Sequence, residues 1–203
     1  MKFALSLLAA LTLSAAAEPR LIYSKSFPGS KPAWCGITVE KNGASEYKEE
    51  PNDDNPLRFQ LAEPDAAEMF ALAAKLDHFK RPLESGLKVA MMGIKTFRIE
   101  DGDGGREVKF NYSEDADARA LQEWFERISE TEQHYINLER AVKYDKLGVN
   151  AAILHLQVTI DRKRLVAPEQ FLPLLDRVVR NDSYLNMARS RAAGLAEAFR
   201  AQK

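Results

Sequence analysis

Residues 113–145 carry a stripe of apolar positions at helical spacing, formed by Leu121, Trp124, Phe125, Ile128, Tyr135, Leu138 and Val142, with Thr131 and Glu132 breaking it in the middle. Ser113 is placed to cap this long helix, and Glu114, Asp115 and Asp117 sit where the positive end of the helix dipole favours negative charge. Before it the apolar pattern has period two, and after it the pattern stays helical. The two ends of the long helix are therefore expected to bury against different neighbours.

In the first part, Leu21-Ile22-Tyr23 reads as an edge strand. Cys35, Ile37 and Val39 then alternate along a second strand, and Asn42-Gly43 turns it into a return strand over residues 44–48. A polar loop over residues 49–56 leads to Leu57, Phe59 and Leu61, again alternating. Pro64 suits the first turn of a helix whose apolar face is Met69, Leu72, Ala73, Leu76 and Phe79, and Pro82 ends it. Residues 87–100 read as one long strand with Val89, Met91, Phe97 and Ile99 in phase and a bulge at Gly93. Asp101-Gly102-Asp103-Gly104-Gly105 turns the chain, and Val108, Phe110 and Tyr112 share one face of the returning strand.

Beyond residue 145, Val149, Ile153, Leu156 and Ile160 mark a helix. Pro168 opens another with Phe171, Leu175, Val178 and Val179 inward, and residues 184–202 form the last. These elements predict an α+β fold: an antiparallel sheet with helices on one face over residues 18–145, followed by an all-α helical C-terminal cap over residues 146–203.

Residues 1–17 change the setting. Met1-Lys2, an apolar run from Phe3 to Leu13 and the small residues Ala15-Ala16-Ala17 read as an export signal, which predicts a periplasmic or extracellular protein. No later apolar run approaches the roughly 20 residues of a membrane span. Cys35 is the single cysteine, so no internal disulfide forms, and its place beside Ile37 and Val39 reads as a small buried apolar residue. A net charge of −1 gives no case for nucleic acid. Its distribution is uneven, however. Residues 113–160 hold five Lys and Arg against nine Asp and Glu, whereas residues 161–203 hold nine against five. Opposite charge on successive helices favours their packing, within one chain or between two.

Few motifs carry chemistry. Asp101 and Asp103 are candidate calcium ligands, but Gly105 and Tyr112 stand where an EF-hand loop needs an oxygen ligand and a bidentate Glu. No cofactor is expected beyond weak calcium binding in this loop. His78, His134 and His155 lack a second His or Cys at zinc-ligand spacing. His78 is expected at the end of the first helix, His134 in solvent and His155 partly buried. Ser45 and Lys48 match a Ser-x-x-Lys pattern without the partner motifs of penicillin-recognising enzymes. Glu123, Glu126 and Glu130 read as a solvated helix face.

Near the C-terminus, Leu172-Pro173-Leu174-Leu175, Asp182, Ala188-Arg189, Ala192-Ala193 and Leu195 resemble one HEAT-type repeat, a two-helix unit of protein-binding solenoids. The resemblance covers about 30 residues and a single copy, so other helices must cover its faces. It implies that Asp182 and Arg189 support helix stacking; with Arg191 they are the candidate interaction residues. The expected function is a noncatalytic protein-interaction module whose partner is another protein or a copy of itself, with residues 146–203 carrying the contact. The alternative is a small extracytoplasmic hydrolase using carboxylates or a loop-bound metal.

Overall fold

The computed structural model describes residues 18–101 and 104–201. Six strands, β1 (Arg20–Ser26), β2 (Trp34–Glu40), β3 (Ala44–Lys48), β4 (Leu57–Gln60), β5 (Ile94–Asp101) and β6 (Gly104–Phe110), form one antiparallel sheet in the order β4-β3-β2-β1-β5-β6. The helices α1 (Glu63–Lys75) and α2 (Ala116–Tyr144) cover one face of it. The opposite face is laced by ion pairs such as Arg58–Glu46 and Arg20–Glu100. The α+β class with an antiparallel sheet and following helices is as expected.

β1 is not an edge strand. It lies at the centre of the sheet, with Tyr23 paired to Ile37 of β2 on one side and to Phe97 of β5 on the other. Leu21 and Tyr23 are buried there, and the Tyr23 ring stacks on Phe125 of α2 at 4.7 Å. Phe97 meets Phe79, Phe110 and Phe125 at ring separations of 5.0 to 5.8 Å, so the centre of this core is aromatic.

The β2–β3 hairpin turns as its sequence implies, though Gly43 alone takes a positive φ, at 84°. After α1 the chain makes a tight 3-10 turn, Asp77–Phe79, in which three consecutive non-glycine residues hold φ values of 52°, 51° and 65°. Left-handed backbone costs such residues roughly 1–2 kcal/mol each. Burial of Phe79 against Phe97 holds the turn in place. His78 sits inside this turn.

Residues 87–93 form no strand, contrary to their alternation. β5 begins at Ile94, opposite Ser26, where β1 ends, and its ladder with β6 starts at Lys95, so the preceding residues have no strand to pair with among the described residues. Gly93 takes a φ of 92°, and a Cβ there would lie 2.8 Å from the Phe27 side chain. Val89 and Met91, expected in the core, are exposed.

The N-cap of α2 is Asp115, not Ser113; its carboxylate accepts from the backbone N–H groups of Asp117 and Ala118 at 2.9 and 3.0 Å. Ser113 is buried and accepts from the Asp115 N–H. Along α2, Leu121, Trp124, Phe125 and Ile128 belong to the core beneath the sheet. Leu138, Ala141 and Val142 belong to a second core shared with α3 (Val149–Asp161), α4 (Leu172–Val179) and α5 (Asn186–Ala201).

Thr131 and Glu132 lie between these cores, and both are fully buried. The polar break in the apolar stripe is where residues 162–171 return along α2. Arg164 pairs with Glu123 and Glu130, the Val166 N–H donates to Thr131 Oγ1 at 3.2 Å, and Gln170 Nε2 donates to Glu132 Oε1 at 2.9 Å. Val166 and Ala167 enter the core beneath the sheet. Among the described residues, no helix is long and apolar enough to cross a membrane.

Candidate functional site

Two features stand out, one apolar and one polar. The apolar one is the segment over residues 87–94, where Leu87, Val89, Met91, Met92 and Ile94 are 39% to 62% exposed. Polar groups hold its backbone. The Met92 N–H donates to Asn111 Oδ1 at 2.8 Å, and Asn111 Nδ2 donates to the Ala90 carbonyl at 3.0 Å. Buried Lys95 donates to the carbonyls of Asn111 and Gly93, at 2.6 and 3.3 Å. Burial, with Lys25 nearby, lowers the pKa of the Lys95 ammonium. Glu84 accepts from the backbone N–H groups of Asn111 and Ser85, and the Asn111 bond is the main reason its carboxyl pKa is depressed.

The polar feature is a cleft where the end of β1 and the start of β2 meet the middle of α2. Tyr23, Lys25 and Cys35 from the sheet face Glu126, Ser129, Glu130 and Gln133 around a cavity of about 160 Å³. An adjoining cavity of about 390 Å³ shares Gln133 and runs on past Asn137 and Arg140, with Lys31 and Glu49 also lining it. Tyr23 is 1% exposed, and its hydroxyl has no hydrogen-bond partner among the described residues. Burial raises its pKa and that of the Cys35 thiol, which lies beside the Ser129 hydroxyl. Gln133 donates to Ser129 at 3.1 Å, and the Tyr47 hydroxyl donates to Glu49 at 3.2 Å. Glu126 accepts from Gln122 at 2.7 Å, whereas Lys25 forms no ion pair among the described residues.

Farther along α2, His134 is half-buried rather than solvated. Its Nε2 lies 2.8 Å from Thr159 Oγ1, and the Thr159 hydroxyl donates to Glu130 Oε1 at 3.2 Å. A hydroxyl has one proton to give, so His134 Nε2 carries the proton in this contact. Burial lowers the His134 pKa, and Glu130 opposes that shift. His155, expected to be partly buried, is exposed and lines a cavity of about 490 Å³ with His134, Arg140 and Asp145.

Asp101 pairs with Arg106 at 3.4 Å, and Asp103, the other candidate calcium ligand, lies outside the described residues. Among the described residues, no group of three or more His, Cys, Asp or Glu side chains is arranged to hold a metal ion. Asp182 pairs with Arg189 at 2.7 Å, and Arg189 also donates to the Val179 carbonyl, which ties the start of α5 to the end of α4. Arg191 donates to Gln157 of α3 at 3.0 Å. All three candidate interaction residues thus make contacts within the chain.

Sequence reasoning assigned neither the exposed segment nor the cleft. Met91-Met92 was the available signal for the first. The second brings residues 23–35 against residues 126–133, and no local pattern announces that meeting.

No family model, curated protein or solved structure matches this chain.

Proposed function

We propose that this chain is an exported, noncatalytic interaction module that binds another protein, or a second copy of itself, through residues 87–94. The observation that carries the proposal is five large apolar side chains held outward on a backbone anchored by Asn111 and Lys95. A partner that covered them would gain roughly 25 cal/mol for each Å² of apolar surface removed from water. Adjacent Met91 and Met92 can adapt to the shape of that partner. Tyr144, Leu147, Leu185 and Met187 form a second exposed set, near where the Tyr184 hydroxyl donates to the Val142 carbonyl. Leu147, Leu185 and Met187 make residues 146–203 a second candidate contact surface. The hydrolase alternative, which relies on carboxylates or a loop-bound metal, has less support, because Glu123 and Glu130 are paired with Arg164 and Asp101 is paired with Arg106.

The test is affinity capture from the producing cell's extracytoplasmic fraction with residues 18–203 as bait, beside an L87S/M91S/M92S variant whose circular dichroism is unchanged. A partner retained by the wild type and lost by the variant is the expected result. Equal retention by both baits removes residues 87–94 from the interface. Sedimentation velocity over a range of concentrations distinguishes self-association from binding of a different protein.

A further inference from the structure

We propose that the cleft between the end of β1 and α2 binds a small zwitterion of the α-amino acid class. Its walls carry both charges. Lys25 stands on the sheet side without an ion pair among the described residues, Glu126 stands on α2, and Tyr23 and Ser129 line the same cavity. Tyr23 supplies the independent sign of a ligand, since it lines the cavity and its buried hydroxyl has no hydrogen-bond partner among the described residues.

Complementarity narrows the class. An apolar ligand would leave Lys25, Glu126 and the Tyr23 hydroxyl without partners. A simple anion would face Glu126 and Glu130, and a simple cation would face Lys25. A molecule with one carboxylate and one ammonium meets both walls: Lys25 and the Tyr23 O–H donate to the carboxylate, and Glu126 accepts from the ammonium. Glu130 contributes little, because both of its oxygens are already engaged by Thr159 and Arg164. A cavity of about 160 Å³ selects a small ligand, and the adjoining space of about 390 Å³, lined by Gln133, Asn137 and Arg140, leaves room for a side chain. The Cys35 thiol packs against Ser129 as part of the wall and takes no covalent role.

The test is titration of the isotope-labelled chain, followed by amide correlation spectra. The probes are glycine, L-alanine, L-serine, L-glutamate, L-lysine and the dipeptide Ala-Ala, with acetate and methylamine as singly charged controls. Each is taken to about 10 mM, which detects dissociation constants near 1 mM. The expected result is saturable shifts at Tyr23, Lys25, Cys35 and Glu126 with at least one zwitterion, and binding of both controls weaker by about tenfold or more. Lys25→Met and Glu126→Gln, each with spectra showing a folded chain, are expected to weaken that zwitterion by about tenfold or more. Three results overturn the proposal: no saturation by any zwitterion, equal binding of acetate or methylamine, or unchanged affinity in both folded variants.

Discussion

Replacing Glu132 with Gln should stabilise the protein at neutral and alkaline pH and leave it nearly unchanged in acid. Glu132 is fully buried between the two cores, and burial raises its pKa from the ordinary 4.5 to about 8, against a smaller lowering by the Gln170 hydrogen bond. The folded chain therefore holds a proton that the unfolded chain releases above pH 4.5. Stability from this group is fully present below that value, falls as pH rises towards 8 and is level above it. At about 1.4 kcal/mol per pH unit, roughly 3 kcal/mol is lost by pH 7 and roughly 5 kcal/mol by pH 9.

Hydrogen bonding points the same way. Glu132 Oε2 and Gln170 Oε1 are both buried without a partner among the described residues, while Gln170 Nε2 already donates to Glu132 Oε1. A proton on Oε2 supplies the donor these oxygens lack, and the N–H of a substituted amide supplies it at every pH. Urea unfolding of wild type and Glu132→Gln at pH 5, 7 and 9 checks this. The difference should be below about 1 kcal/mol at pH 5 and about 3 kcal/mol at pH 7, and it should be largest at pH 9. Other titrating groups are common to both proteins and cancel in the comparison. Parallel pH profiles, or a less stable variant at pH 7, would refute the reasoning.

Tyr23→Phe removes a buried hydroxyl without a partner among the described residues, so the ligand-free protein should gain about 1 kcal/mol, seen as a higher midpoint in urea. Asn111→Ala deletes both side-chain bonds that hold residues 90 and 92; a loss of about 1–2 kcal/mol is expected, with faster hydrogen exchange at the Met92 amide. His78→Gly relieves one left-handed residue of the Asp77–Phe79 turn, and a gain of about 0.5–1 kcal/mol in chemical unfolding is expected.

Period-two alternation located β2 to β6 and helical spacing located the five helices, because those patterns record which side of an element faces a core. Alternation does not record whether a neighbour is present. Val89 and Met91 continue the phase of Phe97 and Ile99, yet β1 stops opposite Ile94 and the pattern extends past the sheet. Strand order is hidden for the same reason, and Leu21-Ile22-Tyr23 looks alike at an edge or in the centre. Thr131 and Glu132 interrupt an apolar stripe, a feature equally expected of an exposed break. Their burial depends on Val166 and Gln170, which a local window cannot reach. The cleft has the same character, since Tyr23, Lys25 and Cys35 are ordinary strand residues until α2 is laid across them.

The return of residues 162–171 along α2 also bears on how the chain acquires its structure. Val166 and Ala167 help close the core beneath the sheet, and Thr131 and Glu132 find partners when the same stretch arrives. A chain emerging from its N-terminus thus holds an unfinished first core and two polar side chains without their partners until most of the sequence is available. Contacts of such long sequence separation slow folding and couple distant parts of the chain. The sheet and the helical cap should therefore gain and lose their structure together, as one cooperative unit.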